Sequence, residues 1–294
     1  MIARILRSEH TSGWLFVLPA AALIGVFGLL PIGWSLLLSF QQNDLLTSPS
    51  WVGASNYREL VHDPVFRDSV RRTLVYTALF VPLSVFGALG LALLLNARIR
   101  FSRFYRTAVF VPVATSTVAT GIIFNWLLEP TYGVANYLMG KVDLGPYGFF
   151  QDPDQALYAV VAMTVWGWLG FDVIIYLAAL QGIPQDIVEA ARLDGAGRWA
   201  RFRHVVVPLV SPATLFLIVW STINALQVFD EIYVTTRGGP LRATTVIVYY
   251  LYDQAFNLFH AGYAAAVAYV LFVATLVLTL VQLWVGRRSV HYSS

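Results

Sequence analysis

Ser221, Asn224 and Gln227 stand three residues apart in a stretch that is otherwise apolar. On a helix turning about 100° per residue they form a stripe about 120° wide on one face. A second apolar stretch carries Thr164, Trp168 and Phe171 at i, i+4 and i+7, with Asp172 four residues after Trp168. Aromatic faces cover the CH faces of a sugar while amides and hydroxyls bond its OH groups, so together these residues suit a polyol. Hydroxyl and amide side chains also join helices to one another in apolar surroundings, and spacing alone leaves both uses open. Asp172 fits a segment boundary or a pairing with a residue of another subunit.

Bond-making chemistry has no comparable foothold. Gly140-Lys141, preceded by Gly133, has the wrong spacing for a phosphate loop, and Val142 stands where Ser or Thr is required. The five histidines, at 10, 62, 204, 260 and 291, include no His-Glu-x-x-His pair, so no metal site is predicted. No Gly-x-Ser-x-Gly elbow exists either. Catalytic residues: none. No cofactor is expected on this chain. An intramembrane enzyme would require groups from distant segments to converge.

The elements that position these residues follow from composition. Of 294 residues, 58% are hydrophobic and 12% charged, with mean hydropathy +0.67. Soluble proteins average about 25% charged residues, so lipid is the solvent for much of this surface. That excludes an ordinary cytosolic enzyme, a disordered chain and, with no Cys, a disulfide-stapled secreted domain. A bilayer core about 30 Å thick needs roughly 20 apolar residues per helix. Six stretches qualify, at about 14–40, 73–97, 107–128, 156–181, 205–229 and 262–286. The predicted fold is an all-α integral membrane protein with six transmembrane helices in one domain over 1–294. The first stretch is too long for a cleaved signal peptide. It needs tilt, a polar end or a kink at Pro31.

Placing both termini in the cytoplasm puts twelve Arg in the inner segments, including Arg4, Arg7, Arg98, Arg100, Arg103 and Arg106. The outer segments then hold seven Lys and Arg. Acids run the other way, with four inside, eleven outside and Asp172 within a segment. The formal +3 thus divides into +8 inside, −4 outside and −1 in the membrane, the bias that orients inner-membrane proteins.

The outer connection at about 41–72 carries Trp51-Val52-Gly53 and Asn56-Tyr57, then Leu60, Val61, Phe66 and Val70 among charges. It reads as a short surface helix or a solvated connector with aromatic anchors. The connection at 129–156, rich in Gly, Pro and aromatics, is predicted to fold as a compact cap. In the inner loop 182–204, Pro184 at an early helical position, the acids Asp186 and Glu189 in the first turn, and Gly195 as a stop mark one short capped helix. A second helical stretch follows at Arg198–His204, before Pro208 opens the fifth span. Adjacent Ala190 and Ala191 let another surface approach closely.

Glu189-Ala190-Ala191, three residues, Gly195, nine residues, then Val205-x-Val207-Pro208 resembles the EAA loop of importer-type ABC transporter permeases. The family pattern ends Ile-x-Leu-Pro, so the two valines are conservative departures. Trp51-Val52-Gly53, Asn56-Tyr57 and the run from Phe229-Asp230-Glu231 to Gly238-Gly239-Pro240 are similar to maltose-type, carbohydrate-uptake permeases. Tyr249-Tyr250-x-Tyr252-x-x-Ala255-Phe256, Gly262-Tyr263-Ala264-x-Ala266 and the Val290-His291-Tyr292 tail extend the likeness, the tail to the first of the two paired permeases.

The resemblance implies the type I permease fold, a second homologous permease, two ATPase subunits and an extracytoplasmic substrate-binding protein. ATP and magnesium would sit in the ATPases. Glu189, Ala190, Ala191, Asp194 and Gly195 would form the coupling helix that transmits ATPase closure to the membrane helices. The small-molecule cargo would be a sugar or oligosaccharide carried by alternating access along the path drawn above. A glycerol-phosphate or phosphodiester importer is a close alternative, weakened because no Arg or Lys falls within the spans. A stand-alone secondary transporter would show two similar halves and embedded coupling acids; only Asp172 is present. Nothing points to nucleic acid.

Overall fold

The computed structural model describes residues 9–97 and 100–289; Arg4, Arg7, Arg98 and the Val290-His291-Tyr292 tail lie outside them. The chain divides into two compact units, one of 1–63 with 251–270 and one of 64–250 with 271–294.

In the first unit, α1 (Glu9–Leu23) and α2 (Leu30–Ser39) are joined by a π-helical stretch, Ile24–Leu29. Leu30 N–H reaches back five residues to Gly25, just before Pro31, which has no N–H to offer. The expected irregularity near Pro31 is therefore a widened turn directly before it. None of the first stretch's apolar window is buried within the chain. A two-residue ladder, β1 (Gln41–Gln42) with β2 (Ser50–Trp51), then leads into α3 (Ser55–His62). Here the Trp-Val-Gly and Asn-Tyr residues have a structural use. Asn56 donates to the carbonyls of Ser39 and Gln41 at 2.9 and 3.0 Å. Tyr57 hydrogen-bonds Ser39 at 2.7 Å, and Phe40 lies against both Trp51 and Tyr57. The expected surface helix is real but shorter than drawn: it stops at His62, and Phe66 and Val70 belong to the next helix.

The second unit is built on α4 (Pro64–Asn96) and α8 (Ala156–Gln181), which lie against each other along much of their length. The second span begins nine residues earlier than hydropathy marked it. Pro at a helix start costs no hydrogen bond, and charged residues tolerate helix outside the lipid. α8 is apolar on every side, the signature of a helix with no water-facing surface, and half of its apolar window is buried in the protein. Two apolar clusters fill the interface. Tyr76, Phe80 and Met163 anchor one, and Val85, Val173 and Leu217 the other.

The third and fifth spans are not single rods. α5 (Ser102–Phe110), a 3₁₀ turn at Val111–Ala114 and α6 (Thr117–Leu127) bend by 102°. Pro112 and the extended Thr115-Ser116 make the break. The compact cap follows, with α7 (Val134–Gly140) tied to Tyr147 by paired hydrogen bonds through the Asn136 amide.

The fifth segment comprises α10 (Arg198–Arg201), a π-helical stretch Phe202–Val206, and α11 (Val207–Leu209). It turns by 63° at Val210 into α12 (Ser211–Leu226). Pro212 leaves the Pro208 carbonyl without its helical donor, and the Ser211 hydroxyl fills the gap at 2.6 Å. α13 (Asp230–Thr235), α14 (Ile247–Tyr252) and α15 (Ala261–Ser289) complete the chain. Among the described residues four helices are long and apolar enough to cross a membrane, or six spans with each bent pair counted once.

Candidate functional site

Two adjoining cavities of about 200 and 220 Å³ share the walls Thr117, Thr164, Trp168 and Glu231. Five helices supply them. α4 brings Tyr76 and Phe80, stacked at 5.8 Å with their planes 11° apart. α6 brings Thr117 from its first turn, just past the break, so the bend places a hydroxyl at the wall. α8 brings Thr164, whose hydroxyl donates to the Val160 carbonyl at 2.9 Å, and Trp168. Asn224 and Gln227 come from the end of α12, and Asp230 and Glu231 from the start of α13.

The structure brings together Thr164, Trp168, Asn224 and Gln227 of the residues read from the sequence. Ser221 is on the same stripe but turns into the bundle and is buried. Each three-residue step rotates a helical position by about 60°, so two steps carry Ser221 away from the face that Gln227 occupies. Phe171 shares the Trp168 face, one turn farther along. It meets Trp168 edge-on at 6.5 Å and Trp220 at 5.9 Å, outside the lining of either cavity.

Asp172 is 2% exposed and accepts a hydrogen bond from Ser84 of α4. It therefore joins the two central helices rather than facing the cavity. Tyr176, one turn on, does likewise by donating to Thr214 of α12 at 3.1 Å.

Sequence reasoning missed Tyr76, Phe80, Thr117, Asp230 and Glu231. The two acids were counted with the outer charges because they follow the fifth apolar stretch. The chain break at Phe229 folds them back instead: α13 packs on α6 so closely that a β-carbon at Gly121 would stand 2.7 Å from Val234. Burial pushes the Glu231 carboxyl up from its ordinary value, although a hydrogen bond from the Trp168 indole holds it partly down. The Phe229–Pro240 run was the available signal, since an acidic pair directly after an apolar span is placed to turn back onto it.

The loop 182–204 forms the predicted short helix, α9 (Gln185–Leu193), with Pro184 at its N-cap. Glu189 sits in the second turn rather than the first. At the other end Gly195 donates to Arg192 at 3.0 Å and Ala196 to Ala191 at 2.9 Å. With φ +80° at Gly195, this is a Schellman stop. Glu189, Ala190, Asp194 and Gly195 are exposed and Ala191 is half-buried. Leu193 and Trp199, on either side of the stop, are 89% and 70% exposed.

Broken apolar helices around a polar, aromatic-walled cavity, with an exposed helix on one connecting loop, are an arrangement suited to a transport permease. Residues 64–291 match the family described as binding-protein-dependent transport system inner membrane component, and the chain belongs to it. The chain is 38% identical over 287 residues to the lactose transport system permease protein LacF of Rhizobium radiobacter, covering 96% of each chain. It is 34% identical over 281 residues to the sn-glycerol-3-phosphate transport system permease protein UgpA of Yersinia pestis, covering 95% of each. A bacterial ABC transporter involved in import of the acidic polysaccharide alginate shares its fold, with TM-score 0.84 at 24% identity over 94% of each chain.

Proposed function

We propose that this chain is one of two paired permease subunits of an ABC importer for a sugar or short oligosaccharide. The cavity walled by Trp168, Tyr76, Thr117, Thr164, Asn224 and Gln227 carries this reading. Aromatic side chains with neutral hydroxyl and amide groups match a molecule that is apolar on its faces and polar at its rim. The 38% identity to a lactose permease supports it. The exposed helix α9, with Glu189, Ala190, Ala191, Asp194 and Gly195, is the surface on which an ATPase subunit docks. ATP and magnesium belong to those partners, and a soluble binding protein delivers cargo at the opposite face. Both termini lie in the cytoplasm, in keeping with four Arg and no acid between residues 98 and 106. ATPase closure moves α9, and α10 to α12 transmit that motion to the cavity walls, which open alternately to either side.

Uptake in proteoliposomes holding the full importer tests this. Gly195→Asp forces an L-residue into the left-handed region, at about 1 kcal/mol, and Ala190→Trp fills the approach to the helix. Nothing lies within 4 Å of a β-carbon at Gly195, so insertion and folding survive. Both variants are expected to lose lactose uptake and co-purifying ATPase while remaining in the membrane. Normal uptake by either would remove the docking assignment, and transport by the chain alone would remove the importer.

A further inference from the structure

Asp230 and Glu231 are the only carboxyl side chains in the cavity lining among the described residues; no Lys or Arg lines either compartment. Neither carboxylate has a cation within ion-pair distance among those residues. Glu231 reaches both compartments and shares their walls with Trp168, whose indole favours the charged carboxylate. Asp230, its neighbour, is exposed at the mouth of the second compartment. An acid pair without a counter-ion, between aromatic walls, gives the cavity a negative potential that the surrounding protein screens less than water would.

We propose that Asp230 and Glu231 make this wall of the path a filter against anions, so that the cargo is a neutral saccharide and sugar phosphates and uronates are rejected. The inference rests on the saccharide reading above and narrows it. Carboxylates only accept hydrogen bonds, and a sugar hydroxyl can donate to them. A phosphate or uronate keeps its hydroxyl donors but brings its own negative charge to the same wall, where it is repelled. Trp168, on the wall beside Glu231, covers the apolar face of the ring. The relatives named for lactose and for glycerol-3-phosphate differ in just this property of their cargo, and the wall described here sides with the uncharged one.

The test uses two sugars that differ only at C6, galactose and galacturonate. Their binding to the assembled importer in nanodiscs, without binding protein, is measured with labelled ligand. Wild type is expected to hold galactose about tenfold more tightly or better, which is about 1.4 kcal/mol. Glu231→Gln and Asp230→Asn preserve shape and remove charge. Each should narrow the ratio, and together they should bring it to about threefold or less, about 0.7 kcal/mol. Equal affinities in wild type, or an unchanged ratio in the double variant, would overturn the filter and leave the saccharide site standing. If wild type binds neither sugar at millimolar concentration, the saccharide reading itself fails. Co-purification of the ATPase subunits establishes that each variant assembles.

Discussion

Burial raises the Glu231 carboxyl, so it takes up a proton at a higher pH than an ordinary glutamate. The groups that face it are Asp230 beside it, whose charge pushes in the same direction, and Tyr76 from α4. α6, α8 and α12 present only Thr117, Thr164, Trp168, Asn224 and Gln227, none of which titrates. As pH falls the wall loses this charge earlier than an ordinary glutamate would. The preference for galactose should therefore shrink as pH is lowered and return as it is raised, with Glu231→Gln flat over the same range. A wild-type ratio independent of pH would separate Glu231 from selectivity. Asp172 belongs to a different set. Its hydrogen bond to Ser84 fastens α4 to α8, so its weight falls on folding rather than on cargo.

At the scale of helices, glycine decides how near two of them come. A β-carbon at Gly170 of α8 would stand 2.3 Å from the Val109 carbonyl and 2.8 Å from Val113. Gly170→Ala should therefore lower thermal stability, by about 1–3 kcal/mol as overpacked sites do, and Gly170→Leu should prevent accumulation. Gly90→Ala in α4 meets nothing within 4 Å and should be neutral or stabilising, because alanine favours helix by up to about 1 kcal/mol. Thermal unfolding in detergent compares the three. Helix type and number were legible because hydropathy reports solvent, and solvent is what selects a membrane helix. The breaks were not. Pro31, Pro112 and Pro212 were visible as letters, yet one yields a widened turn, one a bend of 102° and one a bend of 63°. What separates them is the neighbouring chain, Ser211 donating to Pro208 in one case and an extended Thr115-Ser116 in another. The same limit hid Asp230 and Glu231, which reach the cavity only through the turn at Phe229.

For the molecule as a whole, charge allocation sets direction. Replacing Arg100, Arg103 and Arg106 by Gln removes three of the four basic residues between 98 and 106. Periplasm-active and cytoplasm-active reporters fused at the C-terminus should read cytoplasmic in wild type and a mixture in the variant. A wild-type signal from outside would invert the assignment of both faces. Orientation also bears on α4, whose 33 residues come to about 50 Å of helix. Arg67, Asp68, Arg71 and Arg72 crowd its beginning, and from Thr73 to Asn96 it carries no charge. That uncharged length is about 36 Å, against about 30 Å of hydrocarbon in a typical bilayer. Inclination takes up such a surplus, as does local thickening of the bilayer. Because α8 lies along α4, a change in lipid chain length bears on both of the walls that hold Tyr76 and Trp168.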